Sequence, residues 1–133
     1  MKKNKLYIIF ALLGAIVVLW QLLAGGYVLT LDMVFGPKVN LIISQGGLFT
    51  TLPTKYVLVF LTYISTGWVA QKILLITIFF ILFNFPLHFF RKIFNSEKTY
   101  GAEYFSSIFF AINPFVYERF LAGQWAVIFG YAL

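Results

Sequence analysis

The chain alternates long apolar runs with short polar punctuation, and the first run is unbroken. "LYIIFALLGAIVVLWQLLA" (6–24) holds 19 residues without a charge. At about 1.5 Å per helical residue, that length matches a hydrocarbon core of about 30 Å. Tyr7 and Trp20 stand near its two ends, where amphipathic rings favour a membrane interface. The rival reading is a cleaved secretory leader with "AGG" (24–26) at the cut. Leader cores usually run about 7–15 residues, so the run predicts a retained membrane helix. Gly25–Gly26, Gly36–Pro37, Gly46–Gly47 and Pro53 then interrupt regular structure. The apolar pieces between them, "VNLIISQ" and "GGLFTTL", are too short to span, and predict one or two short helices lying in the interface.

The next apolar tract, 56–90, is too long for one span, at about 52 Å as a single helix. It also lacks an obvious turn, because only "QK" (71–72) divides it. The pattern predicts an interfacial or re-entrant helix over 56–70 and a span over 73–90. Lys72 would then snorkel to the outer headgroups, and Pro86 would lie near the inner end. Tyr104 to Ile112 is a further uncharged stretch, stopped by Asn113–Pro114, since proline removes an amide donor and disfavours helix before it. "AVIFGYAL" (126–133) opens a fourth apolar segment too short to cross. The expected fold is all-α and integral to a membrane, with about three transmembrane helices plus a truncated fourth. Short interfacial or re-entrant helices occupy the first outer loop. Residues 1–133 read as a single membrane domain, the N-terminal part of a longer polytopic protein.

Composition supports that pattern. Of 133 residues, 62% are hydrophobic and only 11% charged, against roughly a quarter in soluble domains. The net charge of +6 does not indicate nucleic-acid binding, because the ten Lys and Arg are dispersed and no base-reading motif is present. They follow a topological asymmetry instead. Lys2, Lys3, Lys5, Arg91, Lys92 and Lys98 lie in two short segments, whereas 25–55 carries only Lys38 and Lys55. The positive-inside rule then makes the N-terminus cytoplasmic and puts 25–55 outside a cell membrane that the chain crosses several times. With no cysteine, disulfides and thiolate metal sites are excluded.

Few residues offer chemistry. Asp32 is the one acid among the first 96 residues, flanked by Leu31, Met33, Val34 and Phe35. Partial desolvation there would raise its proton affinity and suit a general base, although Asp also commonly caps loops and turns. Glu118–Arg119 stands in "NPFVYERFLAGQW", beside the small residues Ala122 and Gly123. It reads equally as a pair facing a wet cavity or as a solvated turn. Asn113–Pro114 is a helix breaker or a cavity-lining break. His88 reads as an interface residue. No phosphate loop, metal-ligand spacing or Ser–His–Asp set is present.

The order "LTLDMVFGP", "GWVAQK" and "FFAINPFVYERFLAGQWAVIFGYAL" resembles the N-terminal part of polytopic GT-C superfamily glycosyltransferases, notably the prokaryotic arabinofuranosyltransferase-like proteins. That resemblance implies transfer of a sugar from a polyprenyl-phosphate donor to an acceptor on the outer face, with Asp32 as general base. Arg119 is the leading candidate to bind the departing phosphate, with Glu118, Asn113 and Lys72 as further substrate-binding candidates. Expected partners are the lipid bilayer, the lipid-linked sugar donor and the remaining helices of the chain's own protein. No metal ligand set is expected, and the 133-residue chain alone would be inactive. Two other readings stay open: a fragment of a transporter-like protein, and a small non-catalytic assembly subunit.

Overall fold

The computed structural model describes residues 2–30, 52–94 and 101–133, and these are helical throughout apart from short connections. The elements are α1 (Lys2–Leu19), a 3-10 turn (Trp20–Leu23), α2 (Leu52–Ile64), α3 (Gly67–Phe94), α4 (Ala102–Ala111), α5 (Pro114–Leu121) and α6 (Trp125–Ala132). Among the described residues, Asn4–Leu23 and Gly67–Phe94 are long and apolar enough to cross a membrane. Between Lys72 and Arg91, α3 runs 18 residues without a charge, or about 27 Å. Helices α4, α5 and α6, at 10, 8 and 8 residues, are each too short to cross. Helices α4 and α6 pack against α3.

The centre of the fold is α3, and α1 runs antiparallel beside it. Tyr7 meets His88 at one end, Gly14 faces Phe83 midway, and Lys72 reaches Leu22 at the other. The seam on α1 is a narrow i, i+4 stripe of Tyr7, Ala11, Ala15 and Leu19, all buried. Small residues on that stripe let the backbones approach closely, as in membrane helix pairs. A Cβ built on Gly14 would lie 3.1 Å from the Phe83 ring, so glycine makes room for that ring. Beyond Lys5 the other positions of α1 are apolar and mostly uncovered, including Leu13 at 56% exposed and Val17 at 68%. A helix with so narrow a seam and no polar face is suited to an apolar surround.

Helix α4 lies along α3, and its first turn touches α1. Tyr104 packs edge-on against Phe10 at 4.9 Å, and Ser107 Oγ donates to the Phe83 carbonyl at 2.5 Å. That bond falls on the turn before Pro86. Pro86 supplies no amide to the preceding turn, and a serine from a neighbouring helix bonds a carbonyl of that turn. The α5–α6 hairpin closes the bundle, with Phe120 edge-on to Phe79 at 5.6 Å and Ile128 in the core.

The break before α3 is not where the sequence pattern predicts it. Helix α2 ends at Ile64 and α3 begins at Gly67, so Gln71 and Lys72 lie inside α3. The hydroxyls explain the shift. Thr62 Oγ1 donates to the Val59 carbonyl and Ser65 Oγ to the Leu61 carbonyl, while the Thr66 carbonyl accepts the Ala70 amide to start the next helix. Gln and Lys are good helix formers and have no reason to interrupt one.

Candidate functional site

Two polar arrangements are built into this apolar bundle, and both involve residues singled out from the sequence. The first is at the end of α1 and the start of α3. Gln71 is fully buried, at 0% exposed, and its side-chain amide pairs with the backbone of Val28. Its Oε1 accepts the Val28 amide at 2.8 Å, and its Nε2 donates to the Val28 carbonyl at 2.7 Å. One side chain thus satisfies both backbone polar groups of a buried residue, as a neighbouring strand would. Beside it, Lys72 Nζ donates to the Leu22 carbonyl in the 3-10 turn that ends α1. Helix ends leave carbonyls unpaired, and a cation there is favoured by both the hydrogen bond and the helix dipole.

Lys72 therefore does not snorkel outward. It is 8% exposed and spends one of its three donors on the turn that follows α1. The antiparallel pairing of α1 and α3 decides this, because it sets the start of α3 against unpaired carbonyls rather than against solvent. Together Gln71 and Lys72 clamp the segment that leaves α1 to the start of α3. Asp32, the expected general base, follows Val28 by four positions and lies outside the described residues, as does Lys38. Next to the clamp, a broad depression of about 840 Å³ opens at the α2–α3 junction. Its lining includes Tyr27, Thr62, Tyr63, Ser65, Thr66 and Trp68.

The second arrangement is the α5–α6 hairpin. Asn113 is the N-cap of α5, with Oδ1 accepting the Val116 amide at 3.0 Å and Pro114 in the first turn. Its Nδ2 donates to the Phe110 carbonyl at 2.7 Å and lies 3.3 Å from the Tyr131 hydroxyl. The dipeptide expected to break a helix thus starts one, and ties it to α4 and α6. At the other end of α5, Gly123 has φ +77°, in the left-handed region. Its amide bonds the Phe120 carbonyl at 3.0 Å and the Gln124 amide bonds the Arg119 carbonyl at 2.9 Å, a Schellman closure. Gly123 serves the turn, rather than leaving room for Glu118 and Arg119.

Those two charges do not act as a pair. Arg119 Nη1 donates to Gln124 Oε1 at 2.8 Å, and the guanidinium lies 5.7 Å from the Phe115 ring centroid. Its Nε is buried without a partner. Glu118 is exposed on the adjoining face of α5. An apolar groove of about 110 Å³ runs between α1, α3 and α5, lined by Val18, Phe79, Asn113, Val116, Tyr117 and Phe120 among others. The structure thus brings Asn113 and Arg119 into one hairpin, while Lys72 belongs to the other arrangement and shares no bonded partner with them.

Comparisons with protein-family models, with curated proteins and with solved structures find no match. The function has to be argued from these residues. Sequence reasoning missed Gln71, Ser107, Gln124 and Tyr131, each of which satisfies a polar group on another segment. The signal for Gln71 was present: an amide in the middle of an apolar tract must find a buried partner. Among the described residues, no three His, Asp or Glu side chains gather into a metal-binding group.

Proposed function

We propose that the chain is the membrane-embedded front portion of a GT-C-like glycosyltransferase, in which the clamp end of the bundle holds the segment bearing Asp32 toward a lipid-linked sugar. The observation that carries this reading is the pairing of Gln71 with both backbone groups of Val28. An apolar helix has little reason to bury an amide unless the backbone it grips must be held in place. The adjacent depression adds to this, since Tyr27, Tyr63 and Trp68 present rings and Thr62, Ser65 and Thr66 hydroxyls. Rings stack on the apolar faces of sugars and hydroxyls bond their edges.

In the reaction, Asp32 accepts the proton of the acceptor hydroxyl as that oxygen attacks the anomeric carbon. The bond from that carbon to the carrier phosphate breaks, and the polyprenyl phosphate leaves as an anion. General-base assistance of this kind is worth about 10²–10⁴ in rate. Arg119 remains the candidate cation for the phosphate, because only one of its donors is bonded to Gln124. The test is Asp32→Asn in the complete protein within its source membrane. Transfer of labelled sugar from the polyprenyl-phosphate donor should fall to background at unchanged membrane abundance. Undiminished transfer refutes the assignment.

A further inference from the structure

The two helix ends that meet away from the clamp bring basic residues together. Arg91 Nη1 donates to Asn4 Oδ1 at 2.9 Å, and its guanidinium lies 6.0 Å from the Tyr7 ring centroid. Tyr7 in turn meets His88 edge-on at 5.6 Å. These contacts bring the first turn of α1, with Lys2, Lys3 and Lys5, beside the last turn of α3, with Arg91 and Lys92. The side chains of Lys5, Arg91 and Lys92 are exposed. Among the described residues, the acid facing this end is Glu103 of α4, which accepts the Tyr7 hydroxyl at 3.5 Å.

Helix stability explains only part of this cluster. Arg91 and Lys92 suit the negative end of the α3 dipole, but the lysines of α1 oppose the dipole of their own helix. The flanks of the cluster indicate what the charge is for. Leu6 and Ile9 on α1, and Phe89, Ile93 and Phe94 on α3, are each more than half exposed. A soluble polyanion has no use for that apolar collar. An amphiphile matches both parts, with its phosphate against the cations and its acyl chains along the rings and aliphatic side chains.

We propose that this end of the bundle binds the anionic phospholipids of the adjacent bilayer leaflet, with Lys5, Arg91 and Lys92 contacting their phosphates. The site needs a bilayer but no transfer chemistry, so Asp32→Asn leaves it intact. To test it, the full chain is reconstituted in phosphatidylcholine vesicles containing spin-labelled phosphatidylglycerol or spin-labelled phosphatidylcholine. The immobilised fraction of each label is then compared. Each cation near an anionic surface contributes about fivefold to binding. Lys5→Gln/Arg91→Gln/Lys92→Gln should therefore lower the preference for phosphatidylglycerol at least about tenfold, and added salt should lower it in the unaltered chain. Lys55→Gln removes a charge on α2 and should leave the preference in place. Arg91→Lys keeps the charge without the guanidinium fork and should also retain it. Equal immobilisation of the two labels by the unaltered chain overturns the proposal. So does a preference that survives the triple substitution, or one that is lost with Arg91→Lys or with Lys55→Gln.

Discussion

Replacing Gln71 by leucine tests the clamp directly, because the side chain keeps its bulk and loses both hydrogen bonds. In the native protein the Val28 amide and carbonyl are bonded to Gln71 at 2.8 Å and 2.7 Å, and Val28 is 8% exposed. Leucine would leave both groups buried and unpaired, each at about 1–3 kcal/mol. The gripped segment meets this by lifting off α3 into a more polar setting, so part of the penalty appears as local opening. A loss of about 1–3 kcal/mol in the free energy of opening at Val28 makes its amide exchange about 5- to 150-fold faster. The assay is hydrogen–deuterium exchange of the purified chain in detergent, read over 24–30 and compared with the centre of α3. The acceleration should be confined to 24–30. Gln71→Glu sets a buried carboxylate oxygen against the Val28 carbonyl and should accelerate exchange at 24–30 at least as much. Native exchange at Val28 in Gln71→Leu would show that the pairing does not hold the segment, and would remove the main support for the proposed function.

Two further outcomes concern the packing that supports the site. Gly14→Ala puts a methyl group 3.1 Å from the ring of buried Phe83, and the overpacking of about 1–3 kcal/mol should offset or exceed the helix propensity gained, about 1 kcal/mol. The melting temperature in detergent should fall, and combining the change with Phe83→Leu should cost less than the two changes summed; a clear rise in Gly14→Ala alone refutes the tight seam. In the α5–α6 hairpin, Asn113→Ala should cost about 1 kcal/mol for the lost cap, and Gly123→Ala about 1–2 kcal/mol for a side chain in the left-handed region. Proteolysis within 113–125 should quicken in both variants, and unchanged cleavage would show that neither closure limits opening.

Much of this protein is legible in its sequence because the features concerned are local. The helical character, the two long apolar helices, the basic segments and the boundary at Asn113–Pro114 follow from run length, charge spacing and the missing amide of proline. The break before α3 was locally encoded as well, in the hydroxyls of Thr62 and Ser65, but the more conspicuous "QK" masked it. What only the tertiary structure decided is which polar group satisfies which. Gln71 and Val28 are 43 positions apart, and Lys72 and Leu22 are 50. Such pairings depend on α1 running antiparallel to α3, which brings the unpaired carbonyls of one helix end beside the donors of another. That packing turned Lys72 inward and the docking of α4 on α3 gave Ser107 a carbonyl beside Pro86, whereas Arg119 meets Gln124 across the local turn that closes α5. An apolar pattern marks the helices, whereas the places where a polar side chain must be spent are fixed by the backbone groups that packing leaves buried and unpaired.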